Sequence, residues 1–247
     1  MKVERSTLAD IDSLLGDTDE LLATAYPGDR DVRQPVHTVY VPGHRTSADL
    51  PHQWGQQALE CVEAHGGMLQ LAERVITAAR KESGPAVPGQ VASIHQVARE
   101  AELLAEAVTA KLEREPIEDL RLDFEDGFGD QGDETEDRWV VQAARDAVAG
   151  RTEKGAPGFV GIRFKCMEKP TRERGLRTLD LFLSELIKTG GGLPENLVLT
   201  LPKVSTVDQV RAMVLAARAL EAEHSLGEGT ITFEIQVETP QIVLAAD

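Results

Sequence analysis

Charged side chains follow five strand-like segments in succession. His44 and Arg45 come after the first segment, Glu125 and Asp126 after the second, and Arg163 and Lys165 close the third. Lys203 follows the fourth, and Glu238 follows the fifth. Such residues can move protons or hold charged ligands when their side chains converge. In a (β/α)8 barrel the C-terminal strand ends form one rim, and active sites are built there. Five charged ends in a row therefore read as one site rather than as scattered loop starts.

The segments that must position these residues are the apolar runs 36–41, 119–124, 159–164, 197–201 and 231–237. Stretches with helical spacing separate them at 133–149, at 172–188 and after Ser205, which is placed to cap a first turn carrying Asp208. Alternation of strand and helix is the signature of βαβ units on a parallel sheet. Parity within the runs is more informative. Leu120, Leu122 and Phe124 share one face of the second run, while Asp119, Arg121, Asp123 and Glu125 share the other. In the fifth run Ile231, Phe233, Ile235 and Val237 alternate with Thr232, Glu234, Gln236 and Glu238. A parallel sheet between two helix layers is apolar on both faces, whereas a barrel can turn one face into a polar interior. The expected fold is an α/β barrel, with Arg163 facing the interior and Val160, Ile162 and Phe164 facing helices. Five strands where closure needs eight make it an incomplete barrel with an exposed edge.

The first crossover is long. An insert over about 46–116 has room for two or three helices, the clearest at 90–114 with Val97, Ala101, Leu104, Val108 and Leu112 on one stripe. Gly84, Pro85, Pro88 and Gly89 separate it from the helix before. A helix over 7–25, ending at Pro27-Gly28, precedes the first strand. The chain reads as a single domain 1–247, with an N-terminal helical extension 1–35 and the partial barrel over 36–247.

Composition narrows the function classes. The 247 residues include 26 Lys and Arg against 42 Asp and Glu, a formal net charge of -16, which would repel a phosphate backbone or an anionic membrane. No nucleic acid and no membrane partner is expected. Cys61 and Cys166 stand far apart with no CxxC, so they read as reduced thiols rather than a disulfide framework or zinc site. The N-terminus lacks an apolar signal region, and no run of 18 apolar residues occurs, so a cytoplasmic, soluble protein is expected.

Several motifs are decoys. The stretch from Gly127 to Gly132 matches GxGxxG between a strand and a helix. Glu125, Asp126, Asp130, Asp133 and Glu134 would set carboxylates against a pyrophosphate, so dinucleotide binding is rejected. The same acids miss the EF-hand spacing. GxSxG, HExxH and Walker A sequences are absent, and His37, His52, His65, His95 and His224 show no mutual ligand spacing.

Taken together, YVPGHR at 40–45, LDFEDG at 122–127 with AAR at 143–145, GIRF at 161–164, LPKV at 201–204 and VETPQIV at 237–243 resemble the HpcH/HpaI aldolase and citrate lyase β-subunit superfamily, whose motifs occur in this order. The resemblance covers roughly residue 36 to the C-terminus, excluding the insert. It implies a TIM (β/α)8 barrel of the phosphoenolpyruvate/pyruvate type and a divalent-metal-dependent carbon-carbon lyase or aldolase. The substrate would be a keto acid or an acyl-thioester such as an acyl-CoA, and the cofactor Mg2+ or another divalent cation such as Mn2+. By the same resemblance Glu238 is a metal ligand, Arg163 holds a substrate carboxylate or carbonyl, Glu125 and Asp126 line the metal site, and Arg45 and Lys203 contact substrate or order the site.

The chemistry suits these residue types. Breaking a bond beside a carbonyl leaves an enolate, which a divalent cation and a guanidinium stabilise. Mg2+ takes only one or two protein carboxylates and keeps several waters. The aldolase branch of the family that the chain resembles carries a histidine base after its second strand, and LDFEDGFG holds none, so the resemblance leans toward the citrate lyase branch; it also implies a second metal-binding Asp on a sixth strand, beyond Asp247. A homo-oligomer is expected. The other readings are a malate-synthase-like condensing or thioester-hydrolysing enzyme on the same barrel, and a noncatalytic acidic scaffold.

Overall fold

The computed structural model describes residues 4–26, 28, 31–83 and 94–245. The chain divides into two compact units, 1–34 and 35–247. The first holds helix α1 (Arg5–Ala25), closed where the Tyr26 N–H donates to the Leu22 carbonyl. None of its residues is buried. Pro27, Gly84, Pro85, Pro88 and Gly89, read as breakers in the sequence, fall outside the described residues.

The second unit is built on five parallel strands in the order β1 (Thr38–Pro42), β2 (Asp119–Asp123), β3 (Phe159–Arg163), β4 (Leu197–Leu201) and β5 (Phe233–Ile235). The insert between β1 and β2 carries α2 (Leu50–Ala64), α3 (Gly67–Ser83) and α4 (Ile94–Arg114), which pack on one another. Later crossovers carry α5 (Asp133–Gly150), α6 (Arg172–Gly190) and α7 (Val207–Glu223), and α8 (Pro240–Val243) follows β5. The cap of α7 differs from the sequence expectation. Thr206 caps the helix, because its side chain and that of Gln209 close a reciprocal capping box one residue later than Ser205. The first and last strands are also shorter than the apolar runs suggested, at Thr38–Pro42 and Phe233–Ile235.

Parity decides the layers. Leu120, Leu122, Ile162, Leu199 and Leu201 are buried in one cluster with Val140 and Ala143 of α5, Leu179, Phe182 and Leu183 of α6, and Met213 and Ala217 of α7. The opposite sheet face is polar. Register places Tyr40 beside Arg121, Gly161 and Val198, and the next row holds Asp123, Arg163, Thr200 and Glu234.

That polar face is strongly concave. Flat strands about 4.8 Å apart would separate the outer two by about 19 Å. Yet Gln236, just after β5, donates from Nε2 to the Tyr40 hydroxyl of β1 at 3.3 Å, and Arg121 of β2 lies 3.5 Å from Glu234 of β5. Only a curled sheet brings these side chains together. A mixed α/β fold with a curled, five-stranded parallel sheet is thus established. Among the described residues no helix is long and apolar enough to cross a membrane.

The concave face buries charge, so each ion must meet a counter-ion or a hydrogen bond. Arg121 and Asp119 are both about 1% exposed and pair at 2.5 Å, while Thr38 Oγ1 donates to Asp119 at 2.8 Å. Arg121 Nη1 reaches over β3 to the Val198 carbonyl at 3.0 Å. Gly161 makes that reach possible, since a Cβ there would run into the Val198 carbonyl and stand 3.0 Å from Arg121 Nη1. Gly161→Ala should therefore destabilise the fold by about 1–3 kcal/mol, the usual cost of overpacking, read as a lowered denaturation midpoint.

Buried Glu118 ties the chain before β1 to α4, accepting from the Val36 N–H at 2.7 Å and pairing with Lys111 at 2.5 Å. The Lys111 ammonium first, then the Val36 amide, hold its pKa at about 2, below the ordinary 4.5. An acid depressed by folding stabilises above its unfolded pKa and loses that contribution as pH falls toward the folded one. Acid titration should show stability declining between about 4.5 and 2, with a shallower decline in Glu118→Gln.

Candidate functional site

Asp123, the last residue of β2, organises the strand ends. Its Oδ1 accepts the Glu125 N–H at 3.0 Å and its Oδ2 the Gly127 N–H at 2.9 Å, an Asx-type turn that folds the following loop back on the strand. A Cβ on Gly127 would press on Asp123 Oδ2 at 2.5 Å, which explains the glycine of LDFEDG. The same carboxylate grips Arg163, its register partner on β3, through Nε at 2.8 Å and Nη2 at 2.7 Å. The Tyr40 ring covers the guanidinium with its centroid 4.5 Å away. Burial opposes the Arg163 charge, but Asp123 outweighs it and the pKa rises, so the cation is permanent.

Glu125 is 8% exposed, accepts the Asp126 N–H at 3.0 Å and lies 3.8 Å from Arg163 Nη1. Asp126 is exposed. Both carboxylates meet the ammonium of Lys203, Glu125 through Oε1 and Asp126 through Oδ1 at 2.7 Å. Burial raises the pKa of Glu125, whereas the Lys203 ammonium lowers that of Asp126. For Lys203 burial works against the charge, but its bonds to Asp126 and Glu125 together prevail and its pKa is raised.

Lys203 lies just beyond β4 with φ 51, a left-handed conformation unusual for a residue with a side chain. Its backbone N–H donates to Glu238 Oε1 at 2.8 Å. The Thr239 hydroxyl next to Glu238 donates to the Val204 carbonyl at 2.6 Å, so the loops after β4 and β5 are tied by two adjacent bonds. Among the described residues Glu238 therefore meets the backbone of Lys203, not a side-chain cation.

Of the six residues that the resemblance assigns to the site, five thus join in one network: Glu125, Asp126, Arg163, Lys203 and Glu238. The sixth does not. Arg45 closes the one-turn 3-10 helix after β1 and is exposed, outside these contacts. Lys165 serves the loop instead of the mouth, donating to the Phe124 carbonyl at 2.9 Å and to buried Glu136 at 2.7 Å. Ala143 and Ala144 of the AAR motif are core residues, and Arg145 pairs with Glu185 of α6 at 2.6 Å. Sequence reading gave Asp123 and Tyr40 no role, although the parity that placed Arg163 inward also places them.

The glycine-rich loop offers little to a phosphate. The amides of Glu125, Gly127 and Gly132 already donate to Asp123 and Asp130, so they are not arranged as an anion cradle.

Among the described residues no group of three or more His, Cys, Asp or Glu is preformed to ligate a metal. Mg2+ needs only one or two carboxylates, however, and Glu125 and Asp126 converge on one cation-sized point, filled by the Lys203 ammonium. The network also holds four carboxylates, Asp123, Glu125, Asp126 and Glu238, against two cations, Arg163 and Lys203. That excess fits one divalent ion.

Removing the charge of Asp123 would leave Arg163 buried without its counter-ion, a loss of about 3–5 kcal/mol. Asp123→Asn should show that loss in chemical denaturation. A loss below about 1 kcal/mol would mean that Tyr40 and Glu125 suffice to hold the guanidinium.

No curated protein and no solved structure matches the chain. A family model described as a domain of unknown function, DUF6986, matches residues 15–247, nearly the whole of the sequence. The chain, with its linked strand ends and mixed-charge rim, belongs to the DUF6986 family.

Proposed function

We propose that the protein is a divalent-metal-dependent carbon-carbon lyase or aldolase, built on a barrel of the phosphoenolpyruvate/pyruvate type and acting on a keto acid or an acyl-thioester. The observation that carries this reading is the convergence of Glu125, Asp126, Arg163, Lys203 and Glu238, from four different strand ends, on one side of a concave sheet. Sequential strand order and the contact between Tyr40 and Gln236 support the barrel.

Glu238, Glu125 and Asp126 are the residues to hold Mg2+ or Mn2+. When bound, the ion supplies Lewis acidity, withdrawing electron density from a carbonyl as the bond beside it breaks. Arg163 binds the substrate. Asp123 occupies the Nε edge of its guanidinium, which leaves Nη1 for a substrate carboxylate, since the Glu125 carboxylate at 3.8 Å stands beyond hydrogen-bond distance. Asp123 and Tyr40 fix the plane of that guanidinium, so no reorganisation is needed when charge develops on the substrate oxygen. Lys is no substitute, because it lacks the planar fork.

The test is product analysis with Mg2+ and oxaloacetate or an acyl-CoA, alongside acetyl-CoA plus glyoxylate. Cleavage to a keto acid, or joining of acetyl-CoA and glyoxylate with the thioester kept, supports the lyase; joining with hydrolysis of the thioester and release of free CoA supports the malate-synthase-like alternative; inactivity without ion binding supports a scaffold. Arg163→Lys should lower kcat/KM at least about a hundredfold, the scale of losing a preorganised charged donor. Unchanged kinetics would remove Arg163 from the site. Glu238→Gln preserves shape but not charge, and should abolish both ion-dependent turnover and calorimetric Mg2+ binding. If it binds Mg2+ as tightly as the parent, Glu238 only orders Lys203, and Glu125 with Asp126 hold the ion without it.

A further inference from the structure

We infer that Lys203 is a tethered cation which occupies the position of the divalent ion and must be displaced for the ion to bind. This rests on the metal-dependent reading above and adds a control to the same site.

The Lys203 Nζ sits between one oxygen of Glu125 and one of Asp126, two carboxylates from the loop after β2, while its backbone belongs to the loop after β4. A single cation shared by two carboxylates is the arrangement that an oxygen-liganded divalent ion also demands. An ammonium and a metal ion cannot share that point, so their occupancies exclude one another.

Three features make the ammonium removable. Its side chain is 38% exposed and Asp126 is 65% exposed, so the pair exchanges with solvent ions without opening the core. Arg163 and Lys165, at 14% and 15%, are enclosed and committed to Asp123 and Glu136. Second, the Lys203 backbone is anchored independently by Glu238 at 2.8 Å, so the side chain can leave while the loop stays. Third, the network has two more carboxylates than cations, so replacing a monovalent group by a divalent one reduces its net negative charge. The ammonium thus keeps Glu125 and Asp126 together before the ion arrives and sets a threshold for ion binding.

The experiment is a titration with Mn2+ alone, read by calorimetry and by the electron paramagnetic resonance of free ion, on the parent, Lys203→Asn and Lys203→Gly. Both replacements tolerate a positive φ, so the loop keeps its conformation, and circular dichroism checks the fold. Both variants should bind Mn2+ about tenfold tighter than the parent, the scale of one removed competing ion pair in a partly buried site. Without ion they should melt below the parent, because two carboxylates lose their counter-charge, and saturating Mn2+ should raise their Tm more than it raises the parent's. Equal or weaker Mn2+ affinity in both variants would overturn the tethered-cation role while leaving the metal site standing. Absence of Mn2+ binding in all three proteins would overturn the metal-dependent reading itself, and the tether with it.

Discussion

The bidentate pair of Asp123 and Arg163 is the interaction on which the site depends. It joins two neighbouring strands side chain to side chain at the level where both end, with Asp123 at 3% and Arg163 at 14% side-chain exposure. An Arg or an Asp alone at this depth would suffer several kcal/mol of desolvation. The two side chains make burial tolerable for each other, and the remaining lone pairs of Asp123 are used to fold the loop that bears Glu125 and Asp126. One carboxylate therefore sets both the plane of the guanidinium and the path of the acidic loop.

The requirement that buried charge be satisfied explains the rest of the concave face. Asp119 with Arg121 carries the same logic deeper into the sheet, and Thr200, in the row of Asp123 and Arg163, donates to Glu234 at 2.7 Å. The approach of Arg121 to Glu234 needs the sheet to curl, because partners on β2 and β5 would be too far apart on a flat one. Curling in turn crowds the inner face. Gly161 and the reach of Arg121 to Val198 are consequences of that crowding. The apolar face has simpler demands, met by Leu, Ile and Phe packing on three helices.

Around Asp123 and Arg163 the loops are held at different strengths. Lys165, Glu136, Thr178 and Arg174 form a buried lattice beneath the acidic loop, with Glu136 at 2% exposure. Lys203 holds the same loop from the solvent side through Asp126, which is far more exposed. A rigid underside and an exchangeable outer cation let a site keep its shape while its charge balance changes. Glu238 is bound to the Lys203 backbone rather than its ammonium.

Much of the architecture was legible in the residues by themselves. Strand and helix periods are local properties, fixed by backbone geometry within a few residues, so Leu120, Leu122 and Ile162 could be assigned to the helix-facing side from alternation alone. The same alternation placed Asp123 and Arg163 together on the other side, and strand ends marked Glu125, Asp126, Lys203 and Glu238 as rim residues. What alternation lacks is distance across the sheet. That Lys203 meets Glu125 across 78 residues of sequence, that Gln236 reaches Tyr40 across 196, and that Lys165 turns under the loop while Arg45 stays outside the network were decided by the tertiary structure. They depend on curvature and loop path, set by the whole core and by the need to neutralise buried charge, and no local pattern encodes either.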